Sequence, residues 1–388
     1  MDERAQVEEF SMKVALVHDW LTGMRGGEKC LEVFCELFPE ADLYSLLYVP
    51  ERVSPIIRHM NVHSSWLNRI PAIERYYRYY LPLFPSAIER FDLEDYDLVL
   101  SSSHCVAKGV FPHRALHIAY LHSPMRYIWD MHGLYFGPDS PWLARTGMAC
   151  WRRYLQKWDI RSSERVYFFV ANSNNVAAKI RKLYGRDAAV IHPPVDMERF
   201  YIAESPEPCY LVVSAMVPYK RVDLAIEAFN NLKVPLKIAG DGPLRRALER
   251  QAGPNIEFLG WVEDQALAAL YASCQAVILP GEEDFGIVPL EAQASGRPVI
   301  AYGRGGVLET VVPLDASYFD KSPEAEPTGI LFQEPTAASL VSAVEYYESR
   351  KHLFKPVAIR HHASFFSKER FKTQILDYVE ARLREWRA

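Results

Sequence analysis

The sequence predicts an α/β protein made of two doubly wound, parallel-sheet domains in series, and three observations predict it. Short apolar runs without polar alternation recur at Lys13–His18, Asp97–Leu100, His117–Leu121 and Val166–Ala171. Strands of that kind belong to parallel sheets covered on both faces. Helical segments separate them, which is βαβ alternation. The alternation halts at Pro193-Pro194-Val195-Asp196 and Glu204–Pro208, then restarts at Tyr210–Val213, Leu236–Ala239, Ile256–Leu259, Ala276–Leu279 and Val299–Ala301. The expected units are a first domain over residues 12–200, a second over 201–355 and a helical tail over 356–388.

The first strand ends in His18-Asp19-Trp20, and Arg25-Gly26-Gly27 follows before a helix predicted over Glu28–Leu37. Paired glycines let backbone approach a ligand, and a helix start presents free N–H groups; a plain strand-to-helix turn reads the same way. Neither domain carries Gly-x-Gly-x-x-Gly after its first strand, and no Walker-type phosphate loop is present, which argues against a nicotinamide oxidoreductase. In the second domain, Ser214–Asp223 follows the first strand and contains Lys220-Arg221. A lysine at a strand end beside a helix start is placed to neutralise a diphosphate. Two unit charges ~4 Å apart interact by about 4 kcal/mol at an effective dielectric near 20. A solvated Lys-Arg pair is the bland alternative.

Glu283 and Glu291 stand eight positions apart in Gly281–Glu291, after the apolar run Ala276–Pro280. Pro289 suits a first helical position, which places Glu291 in a first turn and Glu283 in the loop before it. Amides around Phe285, Gly286, Ile287 and Val288 then form an anion site. The stretch offers two carboxylates for hydroxyl groups and a cradle for phosphate, at the strand end where open α/β sheets bind ligands. A glutamate near a helix start also serves simply to complement the helix dipole. The tail, Lys368–Trp386, reads as an amphipathic helix with Phe371, Ile375, Tyr378, Val379 and Leu383 on one face.

Composition bounds the function. The 388 residues carry a net charge of -5, with 49% hydrophobic and 24% charged. That balance gives no argument for nucleic acid. The six cysteines, Cys30, Cys35, Cys105, Cys150, Cys209 and Cys274, have no zinc or Cys-x-x-Cys spacing and read as free thiols. No signal peptide is visible and no apolar run approaches the ~20 residues of a membrane span, so a cytoplasmic protein is expected. Residues 1–11, polar and acidic before Met12, read as an upstream start or a loose extension. Two segments are rich in aromatics and cations: Trp66–Pro85, with Tyr76, Tyr77, Tyr79, Arg75 and Arg78, and Trp142–Arg161, with Arg145, Trp151, Arg152, Arg153 and Trp158. Such segments suit an anionic membrane surface, or equally an interdomain or sugar groove.

Taken together, the paired glutamates, Val217-Pro218-Tyr219-Lys220-Arg221-Val222-Asp223, Ala239–Pro243 and Gly305–Val311 resemble the retaining glycosyltransferases of the GT-B fold, the large family 4 type that includes glycogen, sucrose and bacterial polysaccharide synthases. Ser101–Gly109 and Tyr120–Asp130 are similar to the branch of bacterial GDP-mannose-dependent mannosyltransferases of O-antigen and exopolysaccharide assembly. The resemblance implies two Rossmann-like domains facing a central cleft, with the C-terminal helix crossing back to the first. It implies a metal-independent hexosyltransferase without cofactor. The donor would be a nucleotide-sugar and the acceptor a glycan or lipid-linked sugar, at or near the inner membrane face. It assigns Glu283 to donor-sugar hydroxyls, Glu291 to the ribose and Lys220 to the diphosphate. Beside the lysine it places Arg221 and the backbone of Phe285, Gly286, Ile287 and Val288, with Gly26 and Gly27 against the phosphates. His122 stands near the sugar, and Arg126 and Asp19 are acceptor-side candidates, Arg126 equally a partner within the fold. One position departs from the pattern: Ala215 lies five residues before Lys220, where the family has an arginine, with Arg221 and Arg304 as possible substitutes. A catalytically weak binding subunit and a sugar-nucleotide epimerase are the alternative readings.

Overall fold

The computed structural model describes residues 12–129, 133, 142–315 and 326–388, with backbone alone over 142–150. Residues 1–11, Asp130 and the side chains of Trp142, Arg145 and Cys150 lie outside what is described. The first sheet contains seven strands: β1 (Val14–His18), β2 (Asp42–Ser45), β3 (Asn61–Ser64), β4 (Leu98–Ser103), β5 (Leu116–Leu121), β6 (Phe168–Ala171) and β7 (Ala188–Val190). Its order is β3-β2-β1-β4-β5-β6-β7 and every pairing is parallel. The second sheet holds β8 (Tyr210–Val213), β9 (Leu236–Ala239), β10 (Ile256–Gly260), β11 (Val277–Leu279), β12 (Val299–Tyr302) and β13 (Gly329–Phe332), in the order β10-β9-β8-β11-β12-β13. These pairings are parallel too. Both sheets are doubly wound, as the unalternating apolar runs require: every residue of β1, β4 and β5 is buried.

Strand order reverses between β1 and β4 in one sheet and between β8 and β11 in the other. A reversal leaves a crevice beyond the strand ends, where neighbouring connections leave for opposite faces. Helix α1 (Gly26–Leu37) follows β1, and α2 (Trp142–Ser163) and α3 (Asn174–Tyr184) flank β6. In the second half, α4 (Val222–Leu232) follows β8 and α5 (Ile287–Ala294) follows β11. Helix α6 (Pro356–Ser364) packs on α5, and only α7 (Lys368–Arg387) returns to the first sheet. There Phe371, Ile375 and Val379 are buried among Phe34, Tyr120 and Leu31, while Tyr378 and Leu383 pack at the margin. Ser367 caps α7 by accepting from the Arg370 amide.

Two local expectations are corrected. Helix α1 opens at Gly26, two residues before Glu28, because the glycine pair itself forms the first turn. Helix α5 opens at Ile287 behind Gly286, so Pro289 is its third residue and Glu291 lies in the second turn. The first amides of a helix lack intrahelical partners, so a proline at the third position still forfeits no helical hydrogen bond.

Candidate active site between the two sheets

The second domain supplies one wall. Beyond β8 the chain makes a short turn, Pro218–Lys220, and enters α4 through Arg221 at φ 51°. Lys220 Nζ lies 2.5 Å from Glu283 Oε1, with both side chains largely buried. Glu283 is fixed by its backbone as well: its carbonyl accepts from the Gly306 amide at 2.8 Å. Gly305, at φ 76°, is needed beside it, since a Cβ there would collide with that same carbonyl. Glu291 is 5% exposed on α5, and its Oε2 accepts from Tyr271 Oη at 2.8 Å. Its other oxygen faces Lys29 Nζ of the first domain at 3.4 Å.

The remaining second-domain candidates divide. Gly286, Ile287 and Val288 form the open start of α5, with the Phe285 backbone before them. The Phe285 ring turns inward onto His192, centroids 5.6 Å apart, so only its main chain can face a ligand. Arg221 donates through Nε to Asp223 Oδ2 at 3.1 Å, which engages its charge at the start of its own helix. Ala215 and Arg304 are both exposed.

The first domain supplies the opposite wall. A Cβ on Gly26 would stand 3.8 Å from Ile287 Cγ2, so the starts of α1 and α5 face each other across the cleft. His122 follows β5, its Nε2 2.9 Å from Ser102 Oγ and its carbonyl accepting from Asn172 Nδ2 at 3.0 Å. Burial, with His104 and Arg126 nearby, pushes its pKa down to about 3, so the ring is neutral. His18 and His104 are pushed to about 3 in the same way, chiefly by burial.

Asp19 and Arg126 take structural places. Asp19 is fully buried and accepts from the amides of His104, Cys105, Val106 and Ala107 at 2.5–2.9 Å. It anchors the loop after β4, and a carboxylate so enclosed cannot reach an acceptor. Arg126 Nη2 lies 2.6 Å from Asp284 Oδ2, so it ties the two domains together. Lys179 joins the same carboxylate at 2.7 Å, and Ser173 Oγ donates to the Asp284 carbonyl at 2.7 Å. Although burial opposes it, Arg126 and Lys179 hold the Asp284 pKa below the ordinary carboxylate value.

Sequence reasoning did not assign Lys29, Glu28, His18 or Ser102. Lys29 lies one helical turn beyond Gly26 and so shares its face, a spacing that could have pointed to it. The others meet only through strand register, which the sequence does not display. A cavity of about 410 Å³ opens beside Lys29, Ile287 and Glu291, reaching Arg199, Phe200 and Asp264. That is within the range of small-ligand sites, ~300–1,000 Å³. The five described cysteines are free and buried. No helix among the described residues is long and apolar enough to cross a membrane.

Comparisons with known proteins follow this division. The model for "Glycosyltransferase Family 4" matches residues 24–199, and that for "Glycosyl transferases group 1" matches residues 197–358. An uncharacterized glycosyltransferase of Methanocaldococcus jannaschii is 30% identical over 165 residues, 41% of this chain and 46% of that protein. A GDP-mannose-dependent alpha-(1-6)-phosphatidylinositol dimannoside mannosyltransferase of Mycobacterium tuberculosis is 37% identical over 114 residues, 27% of this chain and 30% of that protein. The chain thus spans less than half the length of these curated relatives. Among solved structures, Anabaena HepE in complex with UDP superimposes with a TM-score of 0.71 at 17% identity, over 95% of this chain and 100% of that one. Sucrose-phosphate synthase of Thermosynechococcus elongatus gives 0.70 at 16% identity, over 96% and 100%. At such identities the likeness is one of fold. With one model ending at residue 199 and the other beginning at residue 197, where the chain passes from the first sheet to the second, this protein has the GT-B fold, its first half matching the family 4 model and its second half the group 1 model.

Proposed function

We propose that this protein transfers a hexosyl group from a nucleotide-sugar to a glycan or lipid-linked sugar, without a metal and with retention of configuration, and that its donor is GDP-mannose. The observation that carries the reading is the Lys220–Glu283 pair, 2.5 Å apart at the mouth of the second sheet's crevice. It faces a cleft whose other wall begins at Gly26 and Gly27. Without donor, the lysine neutralises the glutamate. A diphosphate entering between Lys220 and the first amides of α5 draws the ammonium to itself and leaves Glu283 to accept sugar hydroxyls. Glu291, already receiving one hydroxyl from Tyr271, is suited to hold a ribose diol.

Cleavage of the sugar–phosphate bond develops negative charge on the diphosphate and positive charge at the anomeric carbon. Lys220 and the α5 amides stabilise the former; each ~1.4 kcal/mol so gained is about tenfold in rate. Neutral His122 adds no repulsion to the latter. The acceptor hydroxyl attacks from the face the phosphate leaves, and the departing phosphate takes its proton. The choice of GDP-mannose rests on the Mycobacterium relative; the UDP in the Anabaena structure makes UDP the competitor. Ala215 favours a second reading, a catalytically weak donor-binding subunit, which donor hydrolysis by the isolated protein separates from the first.

Peripheral attachment to an anionic membrane belongs to the same proposal. Helix α2 packs against residues 77–83, and Arg75, Tyr76, Arg78, Tyr79 and Leu83 are exposed near its Trp151, Arg153, Tyr154 and Lys157. Tyr77 and Trp158, from the same segments, point inward.

A thermal-shift panel of GDP, UDP and ADP with their sugars tests the donor. A nucleotide at ~100 times its Kd stabilises by about 2.7 kcal/mol, and GDP is expected to exceed the others. Lys220→Ala should abolish the diphosphate response. NMR of the product from GDP-mannose should show the α anomer; an inverted product, or no stabilisation by any nucleotide, would overturn the proposal.

A further inference from the structure

Three polar side chains stand in a row across the carboxyl ends of β1, β4 and β5. His18 and Ser102 are register partners, and His122 is the first residue after β5. Ser102 Oγ lies 3.1 Å from His18 Nδ1 and 2.9 Å from His122 Nε2. Gly27 passes close above both rings: a Cβ there would stand 3.6 Å from His18 Cε1 and 3.8 Å from His122 Nε2. The row is buried at the His18 end and opens at partly exposed His122. At the closed end, His18 Nε2 is a buried polar atom with no hydrogen-bond partner, and buried Glu28 Oε1 faces it at 4.0 Å. An unsatisfied nitrogen in such a place calls for a physical account.

A neutral imidazole has one N–H and one lone pair, and a hydroxyl has a single proton to donate. These limits couple the row. When Glu28 is ionised, it favours the His18 proton on Nε2. His18 Nδ1 then accepts from Ser102 Oγ–H, Ser102 accepts from His122 Nε2–H, and His122 Nδ1 is left as a lone pair. When Glu28 is protonated and its carboxyl moves in from 4.0 Å to hydrogen-bond distance, it donates to His18 Nε2, each bond in the row reverses, and His122 carries its proton on Nδ1. One added proton at Glu28 thus reverses the hydrogen-bonding character of His122 without charging either imidazole.

We propose that Glu28 and Ser102 are positioning residues that determine, through His18, which nitrogen of His122 holds its proton, and that ionised Glu28 leaves His122 Nδ1 as an acceptor for a sugar hydroxyl. The sugar in this statement rests on the transferase reading; the coupling does not. The surroundings single out Glu28 as the member that changes charge near neutrality. Burial raises its pKa to about 7; Arg25 opposes that shift and Asp19 reinforces it. Besides Glu28, the charged and titratable groups around His18 are His104, Asp19 and His122, and those around His122 are His104 and Arg126. Both rings stay neutral in that company.

The test is ring-¹⁵N NMR of histidine in the full, donor-free chain between pH 6 and 8.5. His122 is expected to be Nε2-protonated at the high end and to move toward Nδ1 protonation as Glu28 takes up its proton. In Glu28→Gln the His122 signal should not change over the range; in Ser102→Ala, His18 should respond to pH while His122 does not. The kcat profile should then lose its acid limb near pH 7 in Glu28→Gln, with donor KM within about twofold of the parent. A His122 signal that is pH-independent in the parent protein, or that titrates equally in Glu28→Gln, overturns the inference, and the parent titration alone decides it if the variants do not fold. Sugar transfer by a chain with uncoupled His122 would remove this inference and leave the function standing. Coupled tautomers in a chain that transfers no sugar would do the reverse.

Discussion

Glu28 is the residue at which stability and site chemistry oppose each other most directly. Its carboxyl ionises at its ordinary 4.5 in the unfolded chain and, because of burial, only near 7 in the fold. The folded protein therefore binds the extra proton between those values, and stability declines as pH rises from about 4.5 to about 7. Above pH 7 the accumulated loss is on the order of 3 kcal/mol. Glu28→Gln is accordingly expected to be more stable than the parent at pH 8, by about 1–3 kcal/mol, with the gap narrowing below ~1 kcal/mol at pH 4.5. Urea melts at the two pH values check this; equal stabilities at pH 8 would mean the carboxylate is solvated. Neutral His18, His104 and His122 act in the opposite sense, their contribution being lost as pH falls below 6.5, but they are common to both proteins and cancel in the difference. At this scale Lys220 and Glu283 were legible, because each follows an apolar run that had to be a strand. Glu28 was visible only as the residue after two glycines, since nothing in the chain announces that His18 will stand behind it.

Among the elements, α7 shows how far periodicity reaches. The spacing of Phe371, Ile375 and Val379 defined an apolar face, but its partners, Phe34 and Tyr120, lie hundreds of positions away. The Phe371 ring stacks on Phe34 at 5.6 Å and meets Tyr120 edge-on at 5.7 Å. Phe371→Ala should destabilise the first domain by about 3–5 kcal/mol, read by chemical denaturation; a smaller effect would mean that the helix is a detachable strap. Two of the four strands that sequence reading passed over, β2 and β3, share a physical cause. Asp42–Ser45 and Asn61–Ser64 are four residues each and carry polar groups, and the outermost is largely exposed, so no apolar run marks them. Their pairing beside β1 makes them strands. The Asp19 loop is the reverse case: a carboxylate that looked available in sequence is enclosed by four amides it organises.

For the molecule as a whole, the decisive contacts bridge the cleft. Asp284, between Glu283 and Glu291 in the chain, gathers Arg126 and Lys179 from the first domain. Glu309 accepts from the amides of Asn174 and Asn175 at 2.8 and 3.1 Å and meets His192 Nε2 at 3.0 Å. Removing one partner from a buried ion pair costs about 3–5 kcal/mol, here set against closure. Asp284→Ala is expected to enlarge the radius of gyration in small-angle scattering and weaken donor binding roughly tenfold or more, an effect of at least ~1.4 kcal/mol. Donor at saturation should restore much of the compactness. An unchanged radius would assign closure to the Glu309 contacts instead.

The sequence by itself determined the two parallel sheets, the break between them near residue 200 and the segments that carry Lys220, Glu283 and Glu291. Apolar runs, glycines and prolines act locally, and their effects can be read in order along the chain. Only the tertiary structure decided that Asp19 and Arg126 belong to the framework, that Lys29 meets Glu291, and that His18, Ser102 and His122 form one row ending at Glu28. Those relations arise from strand register and domain closure, which join residues far apart in sequence through contacts that no local pattern encodes.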